Sequence, residues 1–384
     1  MMTRRSFVRR GLASAACLTA AGNAAVPGRE SARTSPDYSS TGAKLLTDST
    51  PAADGFRFPA EWEPHAGCIM VLPPPQNWKD DDIPLPQVHR QWANIANVLS
   101  EFEPVHMVVR PEERTIAKRL LSSAIEVIEL PVNDGWSRDS GPMFVVNEEG
   151  DRRVAGFTFN GWGGKYPPYS DDALLKARLS RHYDAPLYPI DLVLEGGAVT
   201  VDGQGTVITT AECLLHDNRN PGRSREEVER LLNSALGTSR VIWLENGVQP
   251  DPITDGHIDG LACFVAPTVV LLLSFQFRND INTKVSADAK RRLSEARDAR
   301  GRQLEVIELP YSVRSEADVN FYIGNDSVLV PTTGRRRKNR RALDTLRELF
   351  PERKVIGVDC WALAEGGGGI HCITQQIPAH TSIS

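Results

Sequence analysis

Between Phe56 and Pro378, short apolar runs of strand character alternate with amphipathic stretches, and most breaks between them are polar and glycine-rich. The spacing of Val88, Trp92, Ile95 and Leu99 predicts one helix, and similar apolar spacing predicts others over 174–183, 225–236, 287–297 and 339–350. Strands are predicted over 68–72, 105–109, 125–130, 207–210, 269–273, 304–309 and 328–330. This makes about five strand–helix groupings in some 320 residues, with no close internal repeat. Such alternation restricts the chain to α/β or α+β architecture, because each amphipathic helix must cover a sheet face. It does not separate a doubly wound sheet from a pseudo-symmetric propeller. No G-x-G-x-x-G and no P-loop occurs, so nothing supports nucleotide binding.

The chain has 384 residues, 41% of them hydrophobic, enough for one large or two ordinary domains. Residues 1–25 read as a twin-arginine signal peptide: Arg4 and Arg5 precede an Ala-rich apolar stretch and small residues suited to cleavage. Export to the periplasm or medium is therefore expected. Removing Arg4, Arg5, Arg9 and Arg10 with that leader takes the net charge from −5 to −9. The stretch 26–55 is rich in Ser, Thr, Pro and Gly and reads as a flexible linker. One catalytic domain is expected over 56–380. The net negative charge argues against a nucleic-acid partner. No apolar run has the roughly eighteen residues a spanning helix needs, so no stable membrane insertion is expected.

Five cysteines lie beyond the leader: Cys68, Cys213, Cys263, Cys360 and Cys372. An odd number without short pair spacing argues against a disulfide framework. Without CxxC or a His/Cys cluster at zinc spacing, no metal site is expected. Cys68, Cys213 and Cys263 adjoin apolar runs and read as buried small hydrophobes.

Cys372 differs, because it ends the run GGGGIHC (366–372). Four glycines surrender backbone entropy but let the chain approach another group closely. A thiol so placed suits a nucleophile at the mouth of a cleft. His371, next in sequence, would point to the opposite face of an extended segment and is a poor candidate for its base. Other polar clusters are NDGWSRDSGP (133–142), Glu195 before a double glycine, AECLLHDNRNP (211–221) and DGHIDG (255–260). In an extended segment His257 and Asp259 would share a face. Carboxylates beside a nucleophilic cysteine oppose acyl transfer, since they repel the thiolate and the oxyanion. They suit a cationic electrophile, and a guanidinium matches two carboxylates in bidentate geometry.

These stretches, with FPAEWEPHAG (58–67), VNFYIGND (319–326) and GGGGIHCITQQ (366–376), resemble the agmatine deiminase and bacterial-type peptidylarginine deiminase family of the guanidino-group-modifying superfamily. The resemblance implies a five-fold pseudo-symmetric α/β propeller of ββαβ-type units, the pentein fold, with its site on the central axis. It implies Cys372 as nucleophile, His257 as general acid and base, and Asp139 and Asp259 as holders of the guanidinium. Glu195 would support the histidine or the substrate, Trp136 would pack over the substrate's apolar stem, and Asn320 would line the pocket. No cofactor is implied, and a homo-oligomer is compatible with the family.

Among substrates, agmatine would want an acid at its far end, and Asp134 and the 211–221 loop are the candidates. The basic run Arg335, Arg336, Arg337, Lys338, Asn339, Arg340 and Arg341, the small Gly260 and the export signal instead favour arginine or peptidylarginine. A non-catalytic guanidinium-binding protein is a third reading, although binding alone needs no thiol.

Overall fold

A computed structural model of the protein describes residues 36–78, 83–311, 319–332 and 336–379. Among these described residues, sixteen strands are distributed over five small sheets. In chain order they are β1 (His65–Val71), β2 (Val105–Val109), β3 (Glu126–Glu129), β4 (Met143–Val146), β5 (Arg152–Thr158), β6 (Leu187–Val193), β7 (Val199–Val201), β8 (Thr206–Thr210), β9 (Arg240–Leu244), β10 (Ala262–Ala266), β11 (Val269–Ser274), β12 (Glu305–Pro310), β13 (Tyr322–Ile323), β14 (Ser327–Thr332), β15 (Lys354–Asp359) and β16 (Gln375–Pro378).

Four sheets repeat one plan. Two antiparallel strands are followed by a helix, and a third strand returns parallel to the second: β4-β5-β6, β7-β8-β9, β10-β11-β12 and β13-β14-β15. A parallel return needs a crossover, which the helices Ser170–His182, Arg225–Leu236, Ile281–Glu295 and Arg336–Leu349 supply. The fifth sheet, β16-β1-β2-β3, follows the same plan across the chain ends. There β16 pairs antiparallel with β1, and the helix Leu85–Leu99 leads to the parallel β2. The last strand thus completes the first unit and closes the ring. Residues from the first strands of all five units line one axial cavity, among them Met143, Val201, Phe264, Ile323 and Gln376. This is the five-unit pentein propeller.

Local sequence accounts for the helix positions. The helix Arg225–Leu236 starts at a capping box, in which the Ser224 hydroxyl accepts from the Glu227 N–H and the Glu227 side chain accepts from the Ser224 N–H. It ends where Gly237 turns left-handed at φ 63°. On Leu85–Leu99 the predicted stripe of Val88, Trp92, Ile95 and Leu99 is buried against Met70, Leu72 and Met107.

The linker expectation for 26–55 is corrected from Tyr38 onward. Tyr38 is buried and donates to the Phe157 carbonyl, the Leu46 N–H donates to Leu187 O, and Asp54 accepts from the Tyr188 hydroxyl. Two aromatic anchors and a backbone bridge outweigh the turn-rich composition there. The signal segment 1–25 and Arg335 lie outside the described residues. Several strands, including β4, β5, β6 and β9, were not predicted. No helix among the described residues is long and apolar enough to cross a membrane.

Candidate active site

In each unit the residues just before the first strand turn inward. The short helix Ser137–Ser140 precedes β4 and carries Asp139. A 3-10 turn, Gly196–Ala198, precedes β7 and follows Glu195, and another, Ile258–Gly260, precedes β10 and follows His257. Asn320 precedes β13, and the turn His371–Ile373 before β16 holds Cys372. Five loops at one topological position therefore bring together residues separated by up to 233 positions. The fold makes the site by repetition.

Gly197 marks where they converge. A Cβ there would lie 2.6 Å from His257 Nδ1, 2.8 Å from Asp259 Oδ2 and 3.0 Å from Asp139 Oδ1. The Cys372 thiol lies 3.7 Å from Asp259 Oδ2 and 3.4 Å from Asn320 Oδ1. The glycine run is explained by the same close packing. A Cβ at Gly368 would come within 2.4 Å of the Trp136 ring, and one at Gly369 within 2.5 Å of Asn320 Oδ1. Trp136 is buried, stacks on Trp78 at 6.3 Å and meets Trp92 edge-on. Asp134 is buried on the same loop, where its carboxylate accepts from the Gly135 N–H at 2.8 Å.

Each charged group has an identifiable environment. Burial raises the pKa of Asp139; Asp259 and Glu195 reinforce that against His257, and the Trp162 indole N–H, donating at 2.9 Å, steadies the anion. Burial alone would also raise Asp259, but the His371 hydrogen bond at 2.9 Å and nearby cations hold it below its ordinary value. Glu195 is fully buried, yet Arg219 at 2.7 Å and His257 lower it to about 2. For His257 burial favours the neutral ring; Asp139, Cys213 and Glu195 outweigh it, and the pKa is well above the ordinary value. The Cys372 thiol is pushed well up by burial and by Asp259 and Asp139, against its hydrogen bonds with Gly369 and Asn320. The site is thus an anionic cup around an imidazolium and a protonated thiol, and a cation entering it would favour the thiolate.

Sequence reasoning missed the groups that hold these residues. Arg219 pairs with Glu195 and, at 2.7 Å, with Asp255, so the polar end of the 211–221 loop is committed inward. Glu61 accepts from His371 Nε2 at 3.0 Å, from the Ile323 N–H at 2.8 Å and from Arg138 at 3.4 Å. Glu61 and Arg138 stand inside the recognised motifs, but only their inward pairing separates them from surface charges. Two expectations also need a different reason. After His257 the chain turns as the 3-10 helix Ile258–Gly260 rather than extending, and His371 and Cys372 also lie in such a turn. His371 is occupied by Asp259 and Glu61 instead of facing away from the site.

A family model for the Porphyromonas-type peptidyl-arginine deiminases matches residues 57–378. The chain belongs to that family. Its relatives include a putative agmatine deiminase of Enterococcus faecalis, 38% identical over 367 residues that cover 88% of this chain and 99% of that protein. The agmatine deiminase of Pseudomonas aeruginosa strain LESB58 is 39% identical over 364 residues, covering 86% and 98%. Among solved structures of the family, Enterococcus faecalis agmatine deiminase superposes with a TM-score of 0.82 at 37% identity, covering 88% of this chain and all of that one. The putative arginine deiminase of Porphyromonas gingivalis gives 0.76 at 32% identity, covering 84% and 98%.

Proposed function

We propose that this protein hydrolyses agmatine to N-carbamoylputrescine and ammonia. The observation that carries the reading is the convergence of Asp139, Asp259 and His257 on one point in front of the Cys372 thiol. Two carboxylates beside a thiol call for a cationic electrophile, and near-full-length relatives named agmatine deiminase give the substrate.

Asp139 and Asp259 hold the guanidinium nitrogens, and the substrate's charge offsets the carboxylates that keep Cys372 protonated. As the substrate binds, the thiol gives its proton to solvent, and the thiolate attacks the guanidinium carbon, forming a C–S bond while the C=N π electrons move to nitrogen. His257 gives a proton to one nitrogen, which leaves as ammonia and yields a thiouronium adduct. His257 then takes a proton from water, whose oxygen attacks the same carbon; the C–S bond breaks, releasing the urea product and the thiolate. Trp136 and Asn320 shape the pocket, and Glu195 steadies the imidazolium. Asp134, on the loop that carries Trp136, is assigned to the substrate's distal ammonium. Putrescine formation is the metabolic direction this product serves, and the twin-arginine leader is proposed to export the folded enzyme.

Ammonia release from agmatine, free arginine and an internal-arginine peptide tests the assignment, with Cys372→Ser as control. Release from agmatine alone, lost in the serine variant, is expected. Release from the peptide or arginine instead would move the substrate to those compounds. Silence on all three would leave a guanidinium-binding protein.

A further inference from the structure

Behind the catalytic face of His257 lies a second constellation, which adds to His257 and Glu195 a buried thiol, Cys213, that the reaction does not use. A Glu195 oxygen, the Cys213 sulfur and a His257 nitrogen lie within 4.8 Å of one another, all on buried residues. Cys213 comes from the short helix Ala211–Leu214, after β8, so three separate loops meet here. Two buried atoms at this place, Glu195 Oε2 and His257 Nε2, lack hydrogen-bond partners and stand 3.7 Å apart. Unpartnered buried polar atoms are costly and call for an explanation. The other Glu195 oxygen is bound by Arg219 Nε at 2.7 Å, which leaves Oε2 directed at the imidazole. Arg219 is itself bound by Asp255, Asn218 and the Thr254 carbonyl.

We propose that Cys213, His257 Nε2 and Glu195 Oε2 form an inhibitory site for a thiophilic divalent cation, zinc being the ion the donors fit best. One sulfur, one imidazole nitrogen and one carboxylate oxygen are ligands zinc takes. Zinc bond lengths of about 2.0–2.3 Å separate ligand atoms by roughly 3.5 Å, so from separations of at most 4.8 Å the three need only close in by about 1.3 Å or less. Arg219 serves as the outer partner that orients the carboxylate. The consequence follows from which nitrogen is taken. Nδ1 points to the convergence of Asp139 and Asp259, and Nε2 points to the metal side. A coordinated ring is fixed as a ligand and no longer becomes an imidazolium, so proton delivery to the leaving ammonia stops. The carboxylate cup and Cys372 stay open, so saturating substrate does not relieve the inhibition. That consequence rests on the deiminase reading; the metal site does not.

Cobalt titration of the full chain carrying Cys372→Ser tests the site without any assay of activity. The expected result is one equivalent of Co²⁺ with a thiolate-to-metal absorption band, displaced by Zn²⁺ and lost when Cys213→Ala is added. Absence of a thiolate band, or its survival without Cys213, overturns the proposal. If the Cys213→Ala chain does not show the parent's circular dichroism, His257→Gln in the same background decides. Binding about tenfold weaker is then expected, and undiminished binding overturns the site. In the chain with Cys372 intact, zinc inhibition that high agmatine removes would place the metal on the nucleophile and sink the inhibitory role, whereas inhibition that persists supports it. A chain that binds cobalt through Cys213 yet deiminates nothing would retain the site and lose the deiminase reading.

Discussion

Two histidines of this protein sit between pairs of carboxylates, and they are built differently. His371 has both ring nitrogens in short contacts, Nδ1 at 2.9 Å from Asp259 and Nε2 at 3.0 Å from Glu61. His257 stands 3.9 Å from Asp139 and 3.7 Å from Glu195, beyond hydrogen-bond range on both sides. Both rings have raised pKa values although burial opposes it: the carboxylates Glu61 and Asp259 prevail around His371, and Asp139 leads those around His257. The difference lies in commitment. A ring whose two N–H groups are already bonded is a strut that positions Asp259. A ring held by charge at a distance can turn its proton toward a reacting nitrogen at little cost. Shifts in the same direction therefore accompany unequal roles, and the hydrogen-bond distances decide which ring is mobile in its chemistry.

The comparison breaks most visibly at catalysis. His257→Gln is expected to lower kcat by about 10²–10⁴-fold with little change in KM, the usual share of a general acid and base. Steady-state rates with agmatine measure this, and an equal loss in His371→Gln would erase the distinction between the rings. For His371→Gln the expected losses are reversed. Removing one member of this partly buried ion pair costs up to about 3 kcal/mol, visible as a lowered denaturant midpoint, while kcat falls by no more than about tenfold.

The strut also carries a pH signature. The folded pKa of His371 is above its ordinary 6.5, so its contribution is complete below 6.5 and fades as pH rises through the folded value. Burial would raise Glu61, but His371 and Arg138 lower it to about 2, so its contribution is complete above 4.5 and fades as pH falls toward 2. The melting difference between the parent and His371→Gln should peak between these ordinary values, 4.5 and 6.5, and shrink in alkali. A difference that does not shrink on either side of that range would remove the strut from the account.

Next in size is the thiol. Iodoacetamide alkylation of Cys372, followed by mass spectrometry, should be slow at neutral pH and climb through the alkaline range, since the free site disfavours the thiolate. Guanidinium ion in the cup should move that climb to lower pH; a plateau already reached at neutral pH would mean the carboxylates do not control the thiol. The smallest effect is expected at the exposed Arg340 and Arg341 on the helix Arg336–Leu349. Reversing both charges should change KM for agmatine by less than about twofold, and a larger change would bring the basic run to the pocket rim.

Much of the site could be read in the chain because its chemistry is carried by residue types in compact motifs. The thiol after four glycines, the GHID turn and the acid of WSRD stand out against apolar surroundings without any coordinates. The supporting groups did not. Glu61, Arg138 and Arg219 look like ordinary surface charges, and nothing local says that each is paired inward with a partner 77, 77 and 24 positions away. The same limit hid β4 and β9, short strands whose identity depends on the sheets they join. Tyr38 and Leu46 were misread for a related reason: their anchors, Phe157 and Leu187, lie over a hundred residues downstream.

By itself the sequence determined the local events: helices by apolar period and caps, the close approach at Gly368 and Gly369 by their lack of Cβ, and a reactive set rich in carboxylate beside thiol and imidazole. Those depend on neighbours within a few positions. Only the tertiary structure decided that β16 closes the first unit, that five equivalent loops meet at one axis, and that of two imidazoles flanked by carboxylates one is locked and the other free. Each of these is a distance between segments far apart in the chain, fixed by the pairing and packing of whole units.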